Sequence, residues 1–180
     1  GTPILGRYIL KARLGEGGQG TVFMAQDDHK QNVAIKISSG KEGEERLRLE
    51  ADRLSRINLP SVPALIDAGV DSTLQRFCLV TELAPGAPMS RVRPRRRRDA
   101  WIYGASIASQ LATTLEAIHR AGIVVRDLHP DNVLLADGDC EASRERRIAV
   151  RLVDLGLARR TAQDETRLTD PRLVAGTPGF

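Results

Sequence analysis

The stretch Val125-Arg126-Asp127-Leu128-His129-Pro130-Asp131-Asn132 sets a carboxylate and a carboxamide five residues apart, just past a glycine turn at Gly122. A positioned Asp can hold a substrate hydroxyl and take its proton. An Asn that far along can offer its amide oxygen to a hard divalent cation. On its own Asp127 also reads as a turn residue capping a short helix, so the rest of the chain has to decide between the two.

With 180 residues, 41% of them hydrophobic and 28% charged, the chain has the composition of a soluble globular protein with a core of ordinary size. No apolar run reaches the roughly 18 residues that a membrane span needs, and no signal-peptide pattern opens the sequence. Cys78 and Cys140 are too few for a disulfide framework, and neither has metal-ligand spacing. A reduced, cytoplasmic chain is expected, or the cytoplasmic part of a longer, membrane-anchored one. Only four of the 27 basic residues are lysines: Lys11, Lys30, Lys36 and Lys41. That arginine bias fits a GC-rich coding sequence better than nucleic-acid binding. The cluster Arg91, Arg93, Arg95, Arg96, Arg97 and Arg98 reads as a solvated loop broken by Pro94. It has no interleaved aromatics, so no single-strand stacking platform is expected and no nucleic-acid partner.

Outward from the central stretch, residues 8–14, 21–26 and 32–37 predict strands separated by Gly, Asp or Asn turns. A helix follows over 41–58, with Leu47, Ala51 and Leu54 on one face and Pro60 and Pro63 beyond its end. Residues 65–70 and 77–83 predict two more strands. A second helix over 99–121 carries the stripe Ile107, Leu111, Leu115 and Ile118. Residues 133–135 and 148–153 read as short strands around a polar loop, and 159–173 as a mobile surface segment. The unit of five strands and one helix joins the helix-led unit near residues 84–88.

Gly15-Glu16-Gly17-Gly18-Gln19-Gly20-Thr21-Val22 lets the backbone approach a polyphosphate and present amide N–H groups to it. The motif lies between two strands instead of between a strand and a helix, which argues against a dinucleotide fold. In Val33-Ala34-Ile35-Lys36 a lysine lies within an apolar strand, where an unpaired ammonium would be costly. Helix geometry nominates its partner. Glu50 lies three residues after Leu47 and four before Leu54, on the inward face, whereas Glu42, Glu44 and Asp52 fall outside it. A surface pair of Glu50 with Arg46 is the bland alternative.

These motifs, in this order, resemble those of bacterial eukaryotic-type serine/threonine protein kinases: the glycine-rich loop, the V-A-I-K strand, the H-R-D-x-K-x-x-N catalytic loop and the D-F-G metal motif, here Asp154-Leu155-Gly156. The resemblance implies an α+β protein-kinase-like fold. Residues 1–84 would form a five-stranded antiparallel ATP-binding lobe with one helix. Residues 85–180 would form an incomplete, mainly helical second lobe with catalytic loop, metal motif and activation segment. It implies ATP bound by Leu14, Gly15, Glu16, Gly17, Gly18, Gln19, Gly20, Val22, Ala34 and Lys36, with Thr81 as gatekeeper and the Glu82 carbonyl and Ala84 amide facing the adenine. Asp127 would orient and deprotonate the acceptor hydroxyl, Lys36 and Glu50 would align phosphates, and Asn132 and Asp154 would hold Mg2+. Gly176-Thr177-Pro178-Gly179-Phe180 resembles the loop that contacts a Ser/Thr-containing protein substrate. Thr161, Thr166 and Thr169 become candidate phosphosites whose charge Arg126 could pair with.

The chain departs from the pattern at two positions. Val125 replaces a histidine that donates a hydrogen bond. His129 replaces a lysine that neutralises the γ-phosphate, and an imidazole does so only partly and pH-dependently. The sequence also stops at Phe180, before the A-P-E motif, so the expectation is either a fragment of a longer kinase or a chain completed by a partner chain or a second copy. Val125, His129 and that end point favour a nucleotide-binding regulatory or scaffolding pseudokinase as the rival reading. The D-L-H-P-x-N variant keeps a small-molecule phosphotransferase as a third.

Overall fold

The computed structural model describes residues 2–92, 100–138, 147–155 and 159–160. The chain divides into two compact units, Gly1–Asn58 with Pro63–Leu83 and Leu59–Val62 with Ala84–Phe180.

The first unit is a five-stranded antiparallel sheet carrying one helix. Strands β1 (Ile9–Gly17), β2 (Gly20–Gln26), β3 (Asn32–Ser38), β4 (Leu65–Asp71) and β5 (Arg76–Glu82) run in the order β1-β2-β3-β5-β4. The β1–β2 hairpin zips as far as Gly17 opposite Gly20, so the glycine-rich loop is mostly strand and its turn is short. Gly20 has no substitute there. With φ at +155°, an added Cβ would meet the Ile37 carbonyl oxygen at 2.1 Å. Helix α1 (Gly40–Leu54) ends four residues before the sequence expectation. Its last turn tightens, with Arg56 and Ile57 N–H donating to the Arg53 and Leu54 carbonyls, and Ile57 is buried beyond the helix.

Strand alternation separates two faces. On one, Val22, Lys36 and Leu79 form a cross-strand row, next to the row Met24, Ala34 and Thr81. Helix α1 packs on this face, with Leu47 fully buried and the Arg48 guanidinium 4.5 Å from the centre of the Phe77 ring. On the other, Ala25, Val33, Ile35, Cys78 and Val80 form a cluster that the N-terminal residues Ile4 and Tyr8 cover. Burial, with the Asp67 carboxylate beside it, pushes the Tyr8 phenol up to about 12. Burial likewise raises the Cys78 thiol to about 11, which keeps it an inert core group.

In the second unit, β6 (Ala87–Pro88), β8 (Val133–Gly138) and β9 (Arg147–Leu152) form a three-stranded sheet. Helix α2 (Ala100–Arg120) lies against β9 through Gln110, whose amide donates to the Ile148 carbonyl at 2.9 Å and accepts from the Val150 N–H at 3.2 Å. Strands β8 and β9 shorten the polar loop expected over 136–147 from both ends. β7 (Ile123–Val124) pairs with β10 (Arg159–Arg160), so the polar surface segment expected over 159–173 opens on a short strand; the remainder of that segment lies outside the described residues. Residues 59–62 belong to this unit because the Leu152 N–H donates to the Ser61 carbonyl at 2.7 Å and the Thr114 hydroxyl meets the Ser61 hydroxyl at 2.9 Å. Among the described residues, no helix is long and apolar enough to cross a membrane.

The β4–β5 turn hangs on Asp71, which is 2% exposed. Its carboxylate accepts the N–H of Thr73 and Leu74 in the turn and that of Leu5, 66 residues away, at 2.7 Å. The Leu74 bond, with those of Leu5 and Thr73, outweighs desolvation and holds the carboxyl below its ordinary range. A group depressed in the folded state stabilises above its unfolded pKa, about 3.9 for Asp, and loses that contribution as pH falls through its lower folded value. Denaturant titrations from pH 7 to pH 3 should therefore show wild-type stability declining more steeply below about pH 4 than that of Asp71→Asn, which should also start lower at pH 7. Parallel pH profiles would rule out this role.

Candidate active site

Of the first unit's candidate residues, Val22, Ala34, Lys36 and Thr81 share the α1 side of the sheet. Lys36 sits mid-strand on β3, flanked by Val22 of β2 and Leu79 of β5. Its Nζ donates to Glu50 Oε2 at 3.0 Å, and the two side chains are only 12% and 5% exposed. The bland alternative for Glu50 does not occur, because Arg46 pairs with Glu42 along the exposed side of α1. Glu44 with Arg48 and Asp52 with Arg56 make similar i,i+4 surface pairs, each worth a few tenths of a kcal/mol. The Lys36–Glu50 pair is different in kind, since its charges are held out of water.

The loop residues come to the same place. Gln19 Oε1 accepts from Lys36 Nζ at 3.1 Å. Neither this contact nor the Ser39 hydroxyl bond to the Gly18 carbonyl at 3.0 Å follows from sequence spacing. Ser39 is the N-cap residue of α1 but its hydroxyl serves the glycine loop instead of the helix. The only available signal was the identity of Ser39, a favoured N-cap type, just before a helix. Ala34 and Thr81 lie in one row of the same face, and the half-buried Thr81 hydroxyl donates to the Glu82 carbonyl at 3.3 Å. Glu82 continues the β5 edge, its N–H donating to the Ala64 carbonyl and its carboxylate accepting the Ala64 N–H. Ala84 follows as a half-buried residue; Leu14 is 52% exposed on β1. Gly15 and Glu16 lie on β1 opposite Val22 and Thr21, and Glu16 pairs with Arg13.

The second unit assembles its candidates around one hairpin. Val133 of β8 pairs with Leu152 of β9, so Asn132 and Val153-Asp154 leave the same end of the ladder. The Val153 N–H donates to the Asn132 carbonyl at 2.9 Å and fixes that end. The Asn132 side chain, 9% exposed, donates through Nδ2 to the Asp127 carbonyl at 3.1 Å. This orients its amide oxygen as the remaining acceptor. Asp154 has φ of +64°, a left-handed conformation that costs a non-glycine residue energy and is kept where the surrounding structure demands it. Leu155, next in the chain, is 1% exposed and anchors the position. Gly156 lies outside the described residues, as do Thr161, Thr166, Thr169, Gly176–Phe180 and the arginines from 93 to 98.

His129 stands among carboxylates. Its Nε2 lies 3.7 Å from Asp127 Oδ2 and its Nδ1 3.9 Å from Asp131 Oδ2. The Asp131 N–H donates to Nδ1 at 3.3 Å, so a neutral imidazole here carries its proton on Nε2, toward Asp127. The Ser90 hydroxyl bonds Asp131 from the other side. Val125 is half-buried, with no polar side-chain atom to offer, and Arg126 is exposed.

Among the described residues, no group of three or more His, Cys, Asp or Glu is placed to hold an ion. A hard cation completed by substrate oxygens needs only one or two protein oxygens. The amide oxygen of Asn132 and the carboxylate of Asp154 are of that kind, and they fit Mg2+ better than a softer ion.

Comparison with known proteins identifies the family. The serine/threonine-protein kinase PknA of Mycobacterium tuberculosis (strain H37Rv) is 30% identical over 189 residues, covering 100% of this chain and 41% of that protein. The DNA damage-responsive serine/threonine-protein kinase RqkA of Deinococcus radiodurans is 32% identical over 189 residues, again covering the whole chain but 26% of the relative. The serine/threonine-protein kinase PknL of M. tuberculosis (strain H37Rv) is 30% identical over 181 residues, 97% of this chain and 42% of its own length. The chain thus spans well under half of each of these relatives. The family described as protein kinase domain matches residues 8–180. With that match covering nearly its whole length, the chain belongs to the protein kinase domain family.

Proposed function

We propose that this chain carries the ATP-binding and catalytic-loop portion of a serine/threonine protein kinase, which transfers the γ-phosphoryl group of Mg-ATP to a protein hydroxyl. The observation that carries the reading is the buried Lys36–Glu50 pair at 3.0 Å. Placing two charges out of water contributes little net stability, so such a pair is better explained by use than by folding. The first unit then acts as the ATP-binding lobe and the second as the lobe of the catalytic loop.

In this reading Glu50 holds the Lys36 ammonium at a fixed point, from which it neutralises α- and β-phosphate oxygens. Backbone N–H groups of residues 15–20 receive the remaining phosphate oxygens, and Val22 and Ala34 cover the adenine. The Glu82 carbonyl and the Ala84 N–H read its edge. Asp127 orients the acceptor Ser or Thr hydroxyl and takes its proton as the new bond to the γ-phosphorus forms and the bond to the β–γ bridging oxygen breaks, releasing ADP. Asn132 and Asp154 hold Mg2+, which supplies neutralisation of the charge on the transferring phosphoryl group. His129, with its proton on Nε2, offers a donor in place of the family lysine. Most of the rate gain comes from positioning and preorganised charge.

The closeness of His129 to Asp127 favours one rival, a nucleotide-binding regulatory module in which the base is held away from a hydroxyl. Incubation with γ-labelled Mg-ATP and acceptor proteins separates the two. The kinase reading expects label on Ser or Thr, reduced about 10²- to 10⁴-fold in Asp127→Asn, the usual worth of a general base. Equal label in both proteins, or nucleotide binding with no label, would favour the rival.

For Lys36→Met the expectation is transfer lowered to background with ATP affinity within about tenfold of wild type, the equivalent of ~1.4 kcal/mol. Calorimetric binding and label transfer on the same preparation read both, and undiminished transfer would refute the assignment of Lys36.

A further inference from the structure

The tip of the glycine-rich loop is tied to α1 by its backbone. The Gln19 carbonyl accepts the Ser39 N–H at 3.1 Å, and the Gly18 carbonyl accepts the Ser39 hydroxyl at 3.0 Å. Gly43 makes room for this approach, since a Cβ at that position would lie 2.6 Å from the Gln19 carbonyl oxygen. Held this way, residue 19 projects its side chain onto β3, and Oε1 accepts from Lys36 Nζ at 3.1 Å. The half-buried Gln19 amide therefore shares the ammonium with Glu50 Oε2 at 3.0 Å. A glutamine at a loop tip satisfies itself in water at no conformational cost, so docking onto an ion pair needs a reason.

We infer that Gln19 is a built-in phosphate surrogate, its amide oxygen occupying at Lys36 Nζ the place that a nucleotide phosphate oxygen takes. The inference rests on the reading of Lys36 as the phosphate-binding lysine. A charged phosphate oxygen makes a stronger, charge-assisted bond to an ammonium than a neutral amide does, so the nucleotide displaces Gln19. The displacement lowers the apparent affinity by the fraction of chains in which the amide has already withdrawn. Gln19 thus sets how tightly phosphate-bearing nucleotides bind, and does not affect recognition of the base. Adenosine, which never reaches Lys36, escapes the competition.

Titration calorimetry of the full chain with ATP, ADP and adenosine tests this. Gln19→Ala should tighten ATP and ADP about 3- to 10-fold, the range expected for one net hydrogen bond, and leave adenosine unchanged. Gln19→Glu, which sets a carboxylate beside the ammonium, should weaken ATP instead. In a Lys36→Met background the gain from Gln19→Ala should vanish, since the contact it relieves no longer exists. Unchanged or weaker ATP binding by Gln19→Ala would overturn the inference, as would equal tightening of adenosine, which would mean only that the loop had loosened. Wild-type ATP binding with no Gln19 effect defeats this inference alone. No ATP binding by the wild type defeats the nucleotide reading and this inference together.

Discussion

A lysine in the middle of a sheet must be answered by a carboxylate, and most of the first unit is arranged around that requirement. Lys36 occupies the central strand, with neighbours on both sides and little room to reach water. Removing one partner of a buried ion pair costs about 3–5 kcal/mol, because a charge out of water loses its counter-charge. The carboxylate therefore has to come from a rigid element at a fixed height. Helix α1 supplies it by burying Leu47, Ala51 and Leu54 on the stripe that also carries Glu50. The apolar contacts fix the helix and the helix fixes the charge. The opposite sheet face does the plainer work of cohesion, closed by Ile4 and Tyr8 and pinned by Asp71.

The second unit solves a different problem, which is to hold three short polar side chains on loop segments and one 3-10 turn, Pro130–Asn132. A β-ladder does this, because residues leaving the same end of a hairpin are neighbours whatever their separation in sequence. Asn132 and Asp154 are 22 positions apart in sequence, yet the Val153–Asn132 backbone bond brings their chain segments together. The Asn132 amide then reaches back to the Asp127 carbonyl, tying the loop to the hairpin. The left-handed backbone of Asp154 costs on the order of 1–3 kcal/mol. Fixation on both sides, by the Val153 bond and by the buried Leu155, is what lets it persist.

What could be read from the sequence was what local periodicity and spacing encode. Glu50 could be chosen over Glu42, Glu44 and Asp52 because helical phase separates an inward carboxylate from outward ones, and the five strands of the first unit announce themselves by turns and β-branched runs. The end of α1 could not be placed, because the apolar period continues through Ile57 while the backbone tightens after Leu54. The transfer of residues 59–62 to the second unit depends on Ser61 meeting Leu152 and Thr114, partners 91 and 53 positions away with no local signature. The same holds for the pairing of Arg159–Arg160 with Ile123–Val124 and for the Asp71 bond to Leu5. Gln19 was legible as a loop residue, but its contact with Lys36 depends on how Ser39 and Gly43 seat the loop tip.

The central claim is that one ion pair orders the phosphate-binding lysine and so governs phosphoryl transfer. Its most direct measurement is the rate of γ-phosphoryl transfer from Mg-ATP by Glu50→Gln beside the wild type, with circular dichroism confirming that both are folded. The substitution keeps the shape and a hydrogen-bond acceptor but removes the charge. The account predicts a rate at least about tenfold lower, equivalent to ~1.4 kcal/mol of transition-state stabilisation. A folded Glu50→Gln protein that transfers phosphate within about twofold of the wild-type rate, or ~0.4 kcal/mol, would contradict it.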